Sequence, residues 1–272
     1  MGDDRVHRQA ELITSPANPT IKLARSLHRK RVRYRERALL VEGVRSIRTA
    51  SDLGVQIRAF MIDASRQDEL DPALVATLSA LASRTLLIDA PLFKQITDTE
   101  HPQPLAAICA MPESVLPVDC SFVVALDGVR DPGNLGTLVR SSAAAGADGV
   151  ALLPGSADPF NPKAVRASVG SIFALPVQSF SSIFEITSGS FISLPSVIIA
   201  DSDGKRAYDD VDWTAPVLLI IGGEAEGAGQ EARTYADELV SIPMAPGVES
   251  LNAAVAGSII AFEVARQRRR RS

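Results

Sequence analysis

Apolar and polar residues follow two alternating rhythms along this chain. Between residues 38 and 110, short apolar runs at 38–41, 57–62, 85–88 and 106–110 read as strands. Between them, apolar positions recur every three or four residues, which predicts helices over 42–53, 72–83 and 91–97. Residues 111–117 carry two prolines and read as a connection. Beyond it the runs at 122–126, 149–153, 197–200, 217–221 and 239–242 are almost wholly Val, Ile, Leu and Ala. Such unbroken runs suit strands covered on both faces of a parallel sheet. A helix is predicted over 135–145, stopping at Gly146, and a last one over 251–266 with the stripe Leu251, Ala254, Val255, Ile259 and Phe262. The pattern therefore predicts α/β architecture in two units.

Charge adds what periodicity cannot. The formal net charge is −4, yet residues 22–37 hold eight cations against Glu36 alone, and residues 266–271 hold five arginines. We read two basic tracts on an acidic body as a footprint for a polyanion, since each neutralised phosphate releases counterions. Lys22, Arg25, Arg29, Lys30, Arg31 and Arg33 are the candidate nucleic-acid-binding residues of the first tract, on a helix that follows the turn Ser15-Pro16-Ala17-Asn18-Pro19. Neither tract carries the apolar face of an interfacial helix, and no apolar run reaches the ~20 residues of a membrane span. The N-terminus shows no secretory pattern, so a cytoplasmic protein is expected. Cys109 and Cys120 lack metal or disulfide spacing and are expected as buried thiols. His7, His28 and His101 show no ligand spacing, so no metal is expected.

Three segments follow the C-terminal ends of predicted strands, where open parallel sheets bind ligands. In the first, Asp127 to Gly136, Asn134 is read as the helix N-cap, and Gly133 and Gly136 as leaving the helix entrance open to a ligand, with Arg140 reaching over the gap. The second, Gly222-Gly223-Glu224-Ala225-Glu226-Gly227, has neither Walker nor dinucleotide spacing. Its carboxylates would repel phosphate, so a cationic or neutral ligand suits it better. In the third, Ile242 to Asn252, either Ser250 or Asn252 is placed to cap the last helix.

In this order and spacing, the three segments resemble the motifs of the SpoU/TrmH family, RNA ribose 2′-O-methyltransferases of the SPOUT superfamily. Motif one is Asn134-Leu135-Gly136-Thr137-Leu138-Val139-Arg140, continued by Arg166-Ala167-Ser168-Val169-Gly170-Ser171. Motif two is Ile221 to Gly227, and motif three runs from Ile242-Pro243-Met244 to Ser250-Leu251-Asn252. Ala253 and Ala254 stand where the family usually has Val-Ser, which removes one hydroxyl. Ser15 to Pro19, Leu40-Val41-Glu42-Gly43 and His101-Pro102-Gln103 are similar to stretches of the family's substrate-binding domain, with Pro104 where a glycine is common.

The resemblance implies a C-terminal α/β fold with a trefoil-knotted parallel sheet and a smaller N-terminal α/β/α substrate-binding domain of ribosomal-protein type. The corresponding division is a basic extension at 1–34, a substrate-binding domain at 35–112, a linker at 113–120 and a catalytic domain at 121–272. It further implies a homodimer and S-adenosyl-L-methionine as methyl donor, held at Gly222, Ile242, Met244 and Leu251. Arg140, Asn134, Glu224, Ser250 and Asn252 take the catalytic positions. A guanidinium is a poor base at neutral pH, so Arg140 is read as a phosphate clamp that acidifies the 2′-hydroxyl, with a neutralised arginine as the alternative. The expected substrate is 23S ribosomal RNA. The alternatives are a transfer RNA, or a non-catalytic RNA-binding role in ribosome assembly on the same fold.

Overall fold

A computed structural model describes residues 12–97, 99, 102–191, 193–224 and 226–270. His7 and His101 lie outside the described residues, as does Arg271 of the C-terminal tract. The chain divides into two compact units, with the boundary between Pro112 and Glu113.

The first unit runs β1 (Leu12–Ile13), α1 (Pro19–Ser26), α2 (Lys30–Glu36), β2 (Ala38–Glu42), α3 (Val44–Asp52), β3 (Ile57–Asp63), α4 (Pro72–Leu81), β4 (Thr85–Ile88), α5 (Ala90–Ile96) and β5 (Leu105–Ala110). The strands form one mixed sheet in the order β1-β4-β3-β5-β2, in which β5 runs antiparallel to both its neighbours. Gly43, at φ 91°, opens α3, and Gln103 Oε1 accepts from the Val44 N–H at 2.9 Å. A Cβ on Gly43 would stand 2.9 Å from that same oxygen, so the Glu42-Gly43 and Pro102-Gln103 stretches form one joint.

The basic tract differs from its sequence reading. It is two helices, broken at Leu27 to Arg29, and it belongs to the core of this unit. Ile21, Ala24, Leu27 and Val32 pack with Ile88, Leu92, Phe93 and Ile96. Arg33 is only 2 % exposed, and its Nη1 donates to the carbonyls of Leu27 at 2.9 Å and His28 at 2.8 Å. Those carbonyls end α1 without an intrahelical partner, and the guanidinium supplies one. Arg33 is therefore a helix cap and not a phosphate contact. Lys22, Arg25, Arg29, Lys30 and Arg31 remain exposed. An open groove of about 600 Å³ is lined by Lys22, Leu23, Arg25, Ser26, Arg29 and Arg35.

The second unit runs β6 (Phe122–Asp127), α6 (Pro132–Ala145), β7 (Gly149–Leu152), α7 (Pro162–Ser168), α8 (Ser171–Ala174), β8 (Val177–Ser179), α9 (Ile183–Gly189), β9 (Ser196–Ala200), β10 (Arg206–Ala207), β11 (Val217–Gly222), α10 (Gln230–Tyr235), β12 (Glu238–Ser241) and α11 (Ala253–Arg269). Seven parallel strands take the order β10-β12-β9-β11-β6-β7-β8, so β11 lies at the centre with β6 and β9 beside it. Both faces are covered, as the unbroken apolar runs require. Cys109 and Cys120 are free and buried, and burial pushes their thiols up to about 12 and about 11. Among the described residues no helix is long and apolar enough to cross a membrane, and no cluster of metal-ligating side chains occurs.

Two close approaches set the helices. A Cβ on Gly136 would lie 2.3 Å from the Ala164 carbonyl oxygen, so α6 and α7 meet closely there. Gly136 is buried; α7 fills the space that the sequence reading left open for a ligand. Gly257 does the same for α11, where a Cβ would meet Leu138 at 2.5 Å and Ile221 at 3.1 Å.

The C-terminal arginines also serve the fold. Arg266 donates twice to Glu263, both at 2.6 Å. Arg268 donates to the carbonyls of Trp213 at 3.0 Å, Ser121 at 2.9 Å and Ala215 at 2.8 Å, and lies over the Phe122 ring at 5.4 Å. Burial lowers its pKa, against the raising effect of Asp148. Only Arg269 and Arg270 of the described tract are exposed. Arg268→Ala strands the Trp213 and Ala215 carbonyls before β11, while Ser121 keeps the Val217 N–H at 2.9 Å, and should cost about 2 kcal/mol of stability. Urea unfolding followed by the fluorescence of Trp213, the single tryptophan, checks this; an unchanged midpoint would contradict it.

Candidate functional site

The site is built at the C-terminal edge of β6, β11 and β12. Asp127 ends β6 and fastens the β11–α10 loop twice: its carbonyl accepts from Gly223 N at 2.9 Å, and its Oδ2 accepts from Gly229 N at 2.7 Å. The loop doubles back on itself through the Gly227 N–H to Gly223 carbonyl bond at 2.9 Å. A Cβ on Gly222 would lie 2.1 Å from the Gly227 carbonyl carbon, and one on Gly223 would lie 2.4 Å from the Gly128 oxygen. These glycines let backbone pass against backbone.

The first turn of α6 is capped by Asp131, whose Oδ1 accepts from the Asn134 N–H at 2.9 Å, with Pro132 in the first helical position. This corrects the reading of Asn134 as the cap. Relieved of capping, the Asn134 side chain is free for other partners. Its Nδ2 donates to Glu224 Oε1 at 2.5 Å, and its Oδ1 accepts from Asn252 Nδ2 at 3.1 Å. Asn252 in turn caps α11, its Oδ1 accepting from Ala254 N at 2.9 Å and Val255 N at 3.2 Å. One amide thus joins all three motif segments.

Beside this junction lies a cavity of about 820 Å³, walled by residues 200–203, 221–224, 240–244 and 248–253, with Glu226, Gly227, Arg233, Ala256 and Ile260. Gly222, Ile242, Met244 and Leu251, the expected cofactor residues, all line it, as do Glu224, Ser250 and Asn252. Its ionisable lining is Asp201, Asp203, Glu224, Glu226 and Glu249 against Arg233. Arg233 is occupied by Asp201 at 2.5 Å and by the Ala228 carbonyl at 3.2 Å. The cavity accordingly favours a ligand with a positive centre.

Arg140 stands apart. It is exposed, lines no part of the cavity, and makes no hydrogen bond or ion pair among the described residues. It lies six positions after Asn134, about 9 Å along the α6 axis. Sequence reasoning missed Asp127, Asp131 and Lys163, although Asp131-Pro132 carried the signal of a helix start. Lys163 Nζ holds Asp131 Oδ2 at 2.6 Å, and this bond, with the Asn134 and Gly133 amides, keeps the Asp131 carboxyl below the usual carboxylate range.

Together, the parallel sheet, the three converging segments and the acidic cavity at the strand ends define an α/β domain with a polar corner beside a cavity. Comparison identifies it further. Residues 121–262 match the SpoU rRNA Methylase family, and residues 18–107 match the MRM3-like substrate binding domain. A 23S rRNA (uridine(2479)-2′-O)-methyltransferase of Streptomyces viridochromogenes is 35 % identical over 87 % of this chain and 85 % of its own. A 23S rRNA (guanosine(2553)-2′-O)-methyltransferase of Bacillus subtilis is 29 % identical over 93 % of this chain and 98 % of its own. The crystal structure of the SpoU methyltransferase AviRb from Streptomyces viridochromogenes, in complex with AdoMet, superposes with a TM-score of 0.81 at 32 % identity, covering 92 % of this chain and 98 % of that one. The chain belongs to the SpoU rRNA methylase family.

Asn252 holds two separable functions, a cap and a link. Asn252→Ala removes both, and should cost about 1 kcal/mol of stability. Asn252→Asp keeps the cap oxygen at a helix start that favours a carboxylate, and should stay near wild type in urea unfolding. Equal midpoints for the two variants would show that the cap contributes nothing.

Proposed function

We propose that the protein transfers a methyl group from S-adenosyl-L-methionine to a ribose 2′-hydroxyl of RNA, and that the RNA is 23S ribosomal RNA. The observation that carries this reading is the Glu224–Asn134–Asn252 junction set against a cavity whose five carboxylates outnumber its one arginine, which is paired with Asp201. The cofactor's sulfonium supplies an electrophilic methyl group, and an acidic cavity suits its charge as it would not suit a phosphate. Gly222, Ile242, Met244 and Leu251 are the residues that would hold it. The names of the two relatives above support the choice of ribosomal RNA.

On this reading the chain's own work is positioning and charge. Asn134, Asn252, Glu224 and Ser250 fix the polar corner where the hydroxyl enters. Arg140 clamps the neighbouring phosphate and lowers the hydroxyl's pKa; a guanidinium keeps its proton at neutral pH and has no lone pair with which to take another. The Lys22, Arg25, Arg29 and Arg35 groove, with Lys30 and Arg31, anchors the RNA backbone in the first unit, a cytoplasmic division of labour that calls on no metal.

The experiment separates anchor from chemistry. Replacing Lys22, Arg25, Arg29 and Arg31 with Ala should weaken RNA binding for every sequence, and flatten its log–log salt dependence by roughly 0.7–0.9 for each phosphate no longer neutralised. The single-turnover rate at saturating RNA should hold, because these interactions are alike in ground and transition states. Arg140→Ala should leave RNA and cofactor affinity near wild type while that rate falls at least ~100-fold. Weakened affinity with a retained rate would make Arg140 one more anchor.

We further propose a homodimer that pairs through α6 and α11. Of the small residues at the start of α11, Ala254 and Gly257 are buried within the chain and Ala253 and Ala256 are half-buried; the face left outward carries Val255 and Phe262, each 46 % exposed. An exposed Arg140 off the wall of its own chain's cavity fits a site that a second copy completes. Val255→Asp with Phe262→Asp should give a monomer in sedimentation at micromolar concentration. A dimer that survives both changes would place the interface elsewhere.

A further inference from the structure

Lys163 sits outside all three motifs, yet the structure builds a place for it. Asn161 caps α7 by accepting from the Lys163 N–H at 2.9 Å, and the Gly136–Ala164 approach fixes where α7 lies along α6. The Lys163 side chain then crosses the first turn of α6 over Gly133, where a Cβ would stand 3.0 Å from Lys163 Cε and 2.8 Å from Asp131 Oδ1. Glycine at 133 leaves that path clear. It ends on Asp131 Oδ2 at 2.6 Å, leaving Oδ1 to hold the Asn134 N–H at 2.9 Å.

We propose that Lys163 is a positioning residue for methyl transfer, acting through Asp131 on the orientation of Asn134. The proposal rests on the activity proposed above, in which Asn134 stands at the reacting corner. The path is continuous: Lys163 to Asp131, Asp131 to the Asn134 backbone, and the Asn134 side chain to Glu224 and Asn252. A two-point hold on one carboxylate fixes its plane, and with it the start of α6. Lys163 and Asp131 are both substantially solvent-exposed, at 54 % and 41 % of their side chains, so the pair adds little to global stability. What it governs is the angle of one amide, and small misplacements of a reacting constellation are costly in rate. The other charges nearby are differently engaged. Arg130 faces Glu226 at 3.6 Å, and Glu224 faces Asn134.

The test uses the full-length protein, S-adenosylmethionine and protein-free 23S ribosomal RNA. Lys163→Met should lower the single-turnover rate at saturating substrates about 10-fold, with KM for RNA and the urea midpoint little changed. Lys163→Arg should restore most of the rate, and Lys163→Met should add nothing to Asn134→Ala in a double-mutant cycle. A raised KM with an unchanged rate would make Lys163 a phosphate anchor and overturn the proposal; so would additive effects in the cycle. A second readout does not depend on activity. In the wild type, the Asn134 side-chain amide resonances should move with the titration of Asp131, at a midpoint below the ordinary carboxylate value. Lys163→Met should raise that midpoint and shift the Asn134 and Asn252 amides. If wild-type protein leaves this RNA unmethylated, the proposed substrate is wrong, and the amide resonances alone decide for Lys163. Amides indifferent to Lys163→Met would sink it.

Discussion

An amide side chain donates from one atom and accepts at another, and the architecture of the second unit turns on Asn134 using both. Glu224 follows β11, Asn252 opens α11, and Asn134 lies in the first turn of α6; nothing in the chain's order makes these neighbours. They meet because β11 runs beside β6, and because the Asp127 carboxylate and carbonyl pin the loop after β11 across the end of β6. A carboxylate at 134 could not donate to Glu224, and an ammonium could not accept from Asn252. The residue type follows from the junction.

Much of this architecture could be read from the pattern of apolar positions. The central strands β6, β7, β9, β11 and β12 fall within a residue or so of their expected bounds, because strands buried on both faces leave unbroken runs. The short elements β8, β10, α8 and α10 gave no signal, since a few residues hold no period. The site was legible as three segments but not as a geometry. Asn134 looked like a cap by residue type, whereas the proline at 132 marks Asp131 as the true one. Gly136 looked like room for a ligand, and only the packing of α7 shows what occupies it.

Charge was the least legible feature, for a physical reason. A run of arginines records how many guanidiniums are present, not what faces them. Nothing in residues 22–37 announces that α1 and α2 break at Leu27 to Arg29, because no glycine or proline stands there. The break is stable because Arg33 reaches back to the carbonyls that it exposes. Arg268 similarly ties the C-terminal helix to β6 and to the chain before β11. At Arg268 the planar fork of donors, with Nε, Nη1 and Nη2 all engaged, is what the fold uses.

Setting those structural arginines aside sharpens the contrast between the two units. In the first, the remaining cations are exposed and several converge on one groove; in the second, carboxylates dominate the cavity and its arginine is neutralised by Asp201. A polyanionic substrate and a cationic donor make opposite demands on a protein surface. A single site with a uniform potential would favour one and repel the other. On the activity proposed above, the backbone phosphates fall to the first unit and the positive centre to the second, which removes that conflict. On the same proposal Arg140, exposed, unpaired among the described residues and off the cavity wall, takes a task no carboxylate could perform: holding one phosphate next to a site whose own charge is unfavourable to it.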